Sequence, residues 1–218
     1  MSANEYTAAP AAARDPKRGV PDAANYRLLQ AACAAYLDEE GSEKVERAYR
    51  FAAEYHRDQR RRSGEPYINH PLIVAENMDT EEATCVALLH DVLEDSDFTA
   101  DDLRAIGMSE EVVAAVELLT HDPAVDYFEY ILQVRENPLA AKVKHADLEH
   151  NADMSRYIAV TAMDRRRESK YLKALDLLDG RDELCFDGTF ASQHPGMLEA
   201  RRPAAPPAPE PPAAAPRG

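Results

Sequence analysis

The 218-residue sequence is poor in the features that mark several large classes of protein. Its three cysteines, Cys33, Cys85 and Cys185, are odd in number and far apart, with no C-x-x-C pair. That suggests neither a disulfide framework nor a zinc knuckle, and makes the cytoplasm the expected compartment. No run of about 18 apolar residues occurs, so no membrane span is expected. The opening stretch MSANEYTAAPAAARDPKRG lacks a basic segment followed by an apolar one, so a secretory signal is not expected either. Positive charge is scarce: 25 Lys and Arg stand against 40 Asp and Glu, a net charge of −15. Nucleic-acid binding needs a basic footprint and is excluded as a partner class. Only eight glycines are present, and neither alternating strand patterns nor hairpin turns stand out.

What remains points to one all-α domain between two simple tails. Residues 1–22 are rich in Ala and Pro, and 187–218 end in RPAAPPAPEPPAAAPRG. Both compositions favour solvated, disordered tails, and the second lacks an aromatic anchor for a partner. Residues 23–186 read as a compact multi-helix bundle. A helix is predicted from Ser42 to Arg61, with Val45, Tyr49, Ala52 and Tyr55 on one side and an end at Ser63-Gly64. A short helix follows at Pro71. Another starts after Asp79-Thr80 and carries Ala83, Val86, Ala87 and Leu89-His90. Thr99 to Asp102 resembles a capping box. Further helices are predicted near 110–121, 124–137, 138–152 and 160–179, with Pro123 and Pro138 at two joints.

Four places hold residues suited to metal or phosphate chemistry: His70, the run His90-Asp91-Val92-Leu93-Glu94-Asp95, Asp147 with Asn151, and the basic run Arg57 to Arg62. An HD dipeptide alone carries little, and His121-Asp122 is a second one that reads as a polar helix end. His90-Asp91 differs because it follows the apolar run ALL, where buried polar groups must be satisfied. His90 and Glu94, like Asp91 and Asp95, are four apart, which places each pair one turn apart on a helix. Three carboxylates so close together repel unless a cation offsets them. A set of His70, His90, Asp91 and Asp147 suits Mn, Fe, Co or Zn and is too rich in nitrogen for Mg or Ca. The alternative is a solvated acidic face beside a core histidine. Arginine forks suit phosphate oxygens, and arginines also complement a helix C-terminus; members of the Arg57–Arg62 run divide between these uses.

Three ordered motifs add to this. HRDQRRRSGEPYINHPLIVAE (56–76) resembles H-x-G-Q-x-R-x-S-G-E-P-Y-I-x-H-P. VALLHDVLEDS (86–96) resembles A-L-L-H-D-x-x-E-D-T, and VKHADLEHN (143–151) resembles K-x-A-D-R-x-H-N. Together they resemble the HD-superfamily hydrolase domain of the RelA/SpoT alarmone enzymes and their single-domain relatives, over roughly residues 45–155. The resemblance implies a metal-dependent phosphohydrolase that removes pyrophosphate from the 3′ position of guanosine tetra- or pentaphosphate. It implies His70, His90, Asp91 and Asp147 as ligands of a divalent metal, usually manganese. Glu94 and Asp95 match the pair that positions the attacking water, Arg61 and Arg62 match basic positions beside the nucleotide, and Asn151 matches a ribose or phosphate contact. His56 matches a family position with a packing or helix-end role, and His150 one with a structural role.

The sequence departs from the family in three places. Leu148 stands where the family has Arg near the nucleotide, Asp58 stands for Gly, and the stretch between Asp91 and Asp147 is shorter than usual. These departures bear on base recognition and leave the metal set whole. Two other readings therefore stand beside the first: the same chemistry on another phosphorylated small molecule, and a non-catalytic nucleotide-binding module. A synthetase domain is not expected in the Pro- and Ala-rich stretch after residue 187. The oligomeric state is left open.

Overall fold

A computed structural model describes residues 23–61, 64–94, 96–155 and 159–181. Both predicted tails, residues 182–186, Arg62 and Asp95 lie outside the described residues. Among the described residues the protein is all-α. The helices are α1 (Ala23–Cys33), α2 (Glu39–Tyr55), α3 (Asn69–Ala75), α4 (Glu81–Leu89), α5 (Ala100–Ala105), α6 (Glu110–Leu119), α7 (Tyr127–Arg135), α8 (Pro138–Ala152) and α9 (Ala162–Leu178). None of them is long and apolar enough to cross a membrane.

Most helix starts follow from a short polar residue that satisfies free backbone N–H groups. Asp38 accepts from the Gly41 N–H at 2.8 Å, and Thr80 from the Ala83 N–H at 3.2 Å. Asn137 accepts from the Leu139 and Ala140 N–H groups, both at 3.0 Å, with Pro138 at the first helical position. The capping box at Thr99 is present, its Asp102 carboxylate accepting from the Thr99 N–H at 2.9 Å. Thr161 and Asp164 form a second one at the start of α9.

Helix α4 runs through the centre, buried from Ala83 to Leu89, and packs on α2, α3, α6 and α8. A helix apolar on every side belongs inside a bundle. Helix α8 lies against α3, α4, α6, α7 and α9, burying Ala140, Val143, Ala146 and Leu148. Stacked rings of Tyr26 and Tyr49, 3.8 Å apart, tie α1 to α2, and an Asn25 to Asn69 hydrogen bond of 3.1 Å ties it to α3. The last residue of α4 thus delivers the following turn to the place where α3 and α8 meet.

The structure corrects two predicted boundaries. Helix α2 ends at Tyr55 and not at Arg61. The Arg57–Arg61 stretch offers nothing apolar to bury, so packing stops supporting the helix at His56. The chain instead folds back on itself. The Tyr67 N–H donates to the Gln59 carbonyl at 3.1 Å, the Arg61 N–H to the Glu65 carbonyl at 2.9 Å, and the Gly64 N–H to the Arg61 carbonyl at 2.8 Å. Gly64 holds φ at +91°, a conformation that favours glycine, so it closes a loop and does not end a helix. Residues 90–94 are likewise turns and not a continuation of α4. The Val92 N–H donates to the Leu89 carbonyl at 3.0 Å and the Glu94 N–H to the Asp91 carbonyl at 3.2 Å.

Candidate active site

Three elements bring His70, His90, Asp91 and Asp147 together. His70 lies in the first turn of α3, His90 caps the C-terminus of α4 with Asp91 after it, and Asp147 lies on α8. His70 Nε2 is 3.3 Å from His90 Nε2 and 3.0 Å from Asp147 Oδ1, which is 3.8 Å from His90 Nε2. Asp91 Oδ2 lies 3.2 Å from His90 Nε2 and 3.7 Å from His70 Nε2. Donors bound at about 2.0–2.2 Å to one ion sit about 3–3.6 Å from each other, so these spacings fit a shared divalent cation. His70, His90 and Asp147 are buried.

The surrounding residues orient these donors. His90 Nδ1 donates to the Ala87 carbonyl at 2.7 Å, which turns Nε2 toward His70, Asp91 and Asp147. His70 Nδ1 is 2.7 Å from His150 Nδ1, with the two rings stacked at 4.9 Å. Tyr67 donates its hydroxyl proton to Asp91 Oδ2 at 2.8 Å. Lys144 donates to Asp147 Oδ2 at 2.9 Å, and Asn151 Nδ2 to Asp147 Oδ1 at 2.5 Å. Arg61 closes the chain of contacts by donating to Asn151 Oδ1 at 3.0 Å.

Burial pushes the Asp147 carboxyl up, but Lys144, His70 and His90 outweigh it and hold Asp147 well below the usual carboxylate range. Burial likewise opposes the Asp91 carboxylate, and His90 and His70 bring it down. The His70 imidazole is lowered by burial, which favours the neutral, metal-binding form. Burial tends to lower Lys144 too, but Asp147 beside it, with Tyr130 and Tyr127, raises it well above the ordinary lysine value. Glu94 is raised by burial and by the Asp91 charge.

The Glu94 carboxylate accepts a hydrogen bond from the His121 backbone. The His121-Asp122 pair is a polar helix end: His121 Nε2 lies 2.9 Å from the Val125 carbonyl, and Asp122 accepts from the Ala124 N–H at 2.8 Å. Beside the donors opens a cleft of about 230 Å³, lined by Arg60, Arg61, Tyr67, Asn151, Arg167 and Tyr171 among others. Of the triple-arginine run 165–167, Arg167 lines it. Leu148 is 1% exposed and packs in the core, so that position presents nothing to the cleft.

Sequence reasoning gave no part to Lys144 or Tyr67 and only a structural one to His150. Lys144 was within reach of it, three residues before Asp147 and so on the same helix face. Tyr67 sits inside the EPYINHP motif, but only the fold shows its hydroxyl on Asp91.

Residues 48–167 match the family model described as HD domain. The chain is 37% identical over 118 residues to a guanosine-3′,5′-bis(diphosphate) 3′-pyrophosphohydrolase of Aquifex aeolicus, covering 49% of this chain and 17% of that one. It is 32% identical over 149 residues to a GTP pyrophosphokinase of Streptomyces coelicolor, covering 62% and 17%. It is 31% identical over 156 residues to the bifunctional (p)ppGpp synthase/hydrolase SpoT of Escherichia coli, covering 65% and 22%. The chain therefore spans about a fifth of the length of these curated relatives. A solved structure of a metazoan SpoT ortholog, described as hydrolysing ppGpp and acting in starvation responses, superposes with a TM-score of 0.52 at 26% identity. That match covers 66% of this chain and 86% of the other.

Proposed function

This chain belongs to the HD-domain family, and on that premise we propose that it is a metal-dependent phosphohydrolase that removes pyrophosphate from the 3′ position of guanosine tetra- or pentaphosphate. In this reading His70, His90, Asp91 and Asp147 hold one divalent ion, with manganese the preferred metal. The observation that supports it is the convergence of three buried donors, His70, His90 and Asp147, all within 4.8 Å of one another, with Asp91 3.2 Å from His90. A divalent ion held by these residues would supply a water of lowered pKa and a Lewis acid for a phosphoryl oxygen.

The chain's own residues supply the rest. Glu94, raised by burial and by Asp91, is suited to take the proton of the attacking water, and Asp95 shares that part. The water oxygen joins the phosphorus, the bond from that phosphorus to the ribose 3′ oxygen breaks, the 3′ oxygen takes up a proton from solvent to leave as a hydroxyl, and pyrophosphate carries the new oxygen away. Arg61 and Arg62 bind phosphate oxygens, and Asn151, held between Arg61 and Asp147, contacts the ribose or a phosphate. Cys33 and Cys85 are free thiols, which supports a reducing, cytoplasmic setting.

Leu148 favours a second reading, the same chemistry on another phosphorylated molecule, because it lies in the core where relatives place an arginine by the nucleotide. A single assay separates the two. Purified protein with Mn is given ppGpp, pppGpp, deoxynucleoside triphosphates, NADPH and sugar phosphates, with Asp91→Ala as control. Pyrophosphate release from ppGpp that the variant loses supports the first reading. Turnover of another compound alone supports the second, and no turnover of any sinks both.

A further inference from the structure

Among the described residues, one buried side-chain polar atom has no hydrogen-bond partner: Nε2 of His56. His56 is 2% exposed and caps the C-terminus of α2. Its other nitrogen, Nδ1, lies 2.7 Å from Gln59 Oε1, and the Gln59 carbonyl in turn accepts from the Tyr67 N–H at 3.1 Å. A buried unpaired acceptor opposes folding, and an apolar residue would not carry that cost. The geometry around the ring shows what a flat ring does there.

The ring sits between two tyrosines. Tyr67 stacks on one side, with centroids 4.6 Å apart and planes 27° apart. Tyr55 meets it edge-on, also at 4.6 Å. The hydroxyls of these tyrosines reach the two ends of one turn. Tyr67 donates to Asp91 Oδ2 at 2.8 Å, and Tyr55 donates to the Glu94 carbonyl at 2.6 Å. That turn carries a metal donor at its start and the water-activating carboxylate at its end. It follows α4 as turns closed by the Val92 N–H to Leu89 carbonyl and Glu94 N–H to Asp91 carbonyl hydrogen bonds, and the two tyrosine hydroxyls grip its ends.

We propose that His56 is a positioning residue for the metal cluster: wedged between Tyr55 and Tyr67, its ring sets the two hydroxyls that hold the Asp91 and Glu94 ends of the turn after α4. The inference rests on the metal reading of His70, His90, Asp91 and Asp147. The ring contacts of His56 are to Tyr55 and Tyr67, whose hydroxyls reach the turn, which makes its positioning effect separable from ligation.

The test is Mn titration of the purified full chain by calorimetry, paired with steady-state kinetics on ppGpp. Groups that orient metal donors are worth 10- to 100-fold in affinity, so Tyr67→Phe is expected to weaken Mn binding about tenfold. Tyr55→Phe is expected to leave Mn affinity unchanged and lower kcat about tenfold at constant KM, since it displaces the Glu94 end alone. His56→Leu keeps the volume, loses the flat ring and is expected to reproduce both defects. His56→Phe restores the ring and should return Mn affinity to within about twofold of the parent. Because His56 works through Tyr67, His56→Leu with Tyr67→Phe should bind no more weakly than Tyr67→Phe alone, within about twofold.

Parent-like Mn affinity in His56→Leu with only a lower melting temperature would reduce His56 to packing and overturn the inference. Additive losses in the double variant would do the same. Should His56→Leu fail to fold, the tyrosine variants, which lose only a hydroxyl, decide: parent-like Mn binding by Tyr67→Phe overturns the proposal. Failure of the parent protein to bind Mn at all overturns the metal reading itself, a separate and recognisable result.

Discussion

Lys144 and Asp147 stand one turn apart on α8, the Lys144 ammonium 2.9 Å from Asp147 Oδ2 and both side chains largely shut away from solvent. Asp147 Oδ1 faces the other way, 3.0 Å from His70 Nε2. One oxygen is thus tied to a fixed cation, and the other, which also accepts from Asn151 Nδ2 at 2.5 Å, is turned toward the two histidines. Against burial, Lys144 is the largest of the influences, ahead of His70 and His90, that hold the Asp147 carboxylate ionised.

Replacing Lys144 by Met is therefore expected to act in opposite directions on folding and on metal binding. Removing one partner of a buried ion pair costs about 3 kcal/mol, so Lys144→Met should lose about that much stability in EDTA. Saturating Mn should recover much of the loss, because the ion then supplies the missing charge. The variant should accordingly bind Mn more tightly than the parent. Urea unfolding in EDTA and in Mn, with a calorimetric titration, checks the prediction; equal losses in both conditions contradict it.

Metal binding should be visible in stability before any substrate is known. A ligand at 100 times its Kd adds about 2.7 kcal/mol to the folded state, which corresponds to about 5–10 °C in melting temperature for a domain of this size. The parent should show that rise on adding Mn and lose it in EDTA. Asp91→Ala, lacking a donor, should show little or no rise. A Mn-induced shift retained in Asp91→Ala would mean that the ion binds elsewhere.

The residues that converge were legible because each stands in a distinctive string: His70 in EPYINHP, His90-Asp91 after ALL, and Asp147 in KHADLEHN. The helices were legible from capping residues such as Thr80 and Thr99, which act locally. What sequence reasoning misplaced depends on distant partners. Gly64 suits a helix end and a tight loop equally well, and pairing of Gln59 with Tyr67 across the loop decides between them. His150 shares α8 with Asp147, but nothing in the local pattern says that its Nδ1 meets that of His70, 80 positions away. The orientation of donors by Tyr67 and His150 comes from packing between helices, which a spacing rule along one helix cannot express.

His56 makes a further prediction, about pH. Burial lowers its pKa from 6.5 to about 4, against the opposing pull of Gln59 and Asp91 and with His90 and His70 adding to the decrease. A histidine with a depressed pKa in the fold binds fewer protons than in the unfolded chain. Its contribution is therefore present above pH 6.5 and is lost as pH falls through the window down to about 4. From those two values the loss is about 2 kcal/mol by pH 5 and about 3 kcal/mol by pH 4. Urea unfolding of His56→Phe and the parent at pH 7.5 and pH 5, both in EDTA, isolates the term. The parent should lose about 2 kcal/mol more than the variant between these pH values, and parallel slopes would rule the titration out.

Arg61 carries the last prediction, because its fork does more than supply charge. One guanidinium nitrogen donates to Asn151 Oδ1 at 3.0 Å and another lies 3.4 Å from His150 Nδ1, so the group reaches both the cleft and the residues behind the donors. Lysine keeps the charge and cannot make two directed contacts at once. Arg61→Lys is expected to raise KM for ppGpp about tenfold, the worth of one charge-assisted hydrogen bond. The kcat should stay within about twofold, since no donor loses a direct partner. Asn151→Ala differs, because its amide also donates to Asp147 Oδ1 at 2.5 Å. That variant should lose kcat and Mn affinity as well as raise KM. Steady-state kinetics and Mn titration on the two variants separate the roles. If both change KM alone, Asn151 is only a substrate contact, and the link from Arg61 through Asn151 to Asp147 does not orient the metal donor.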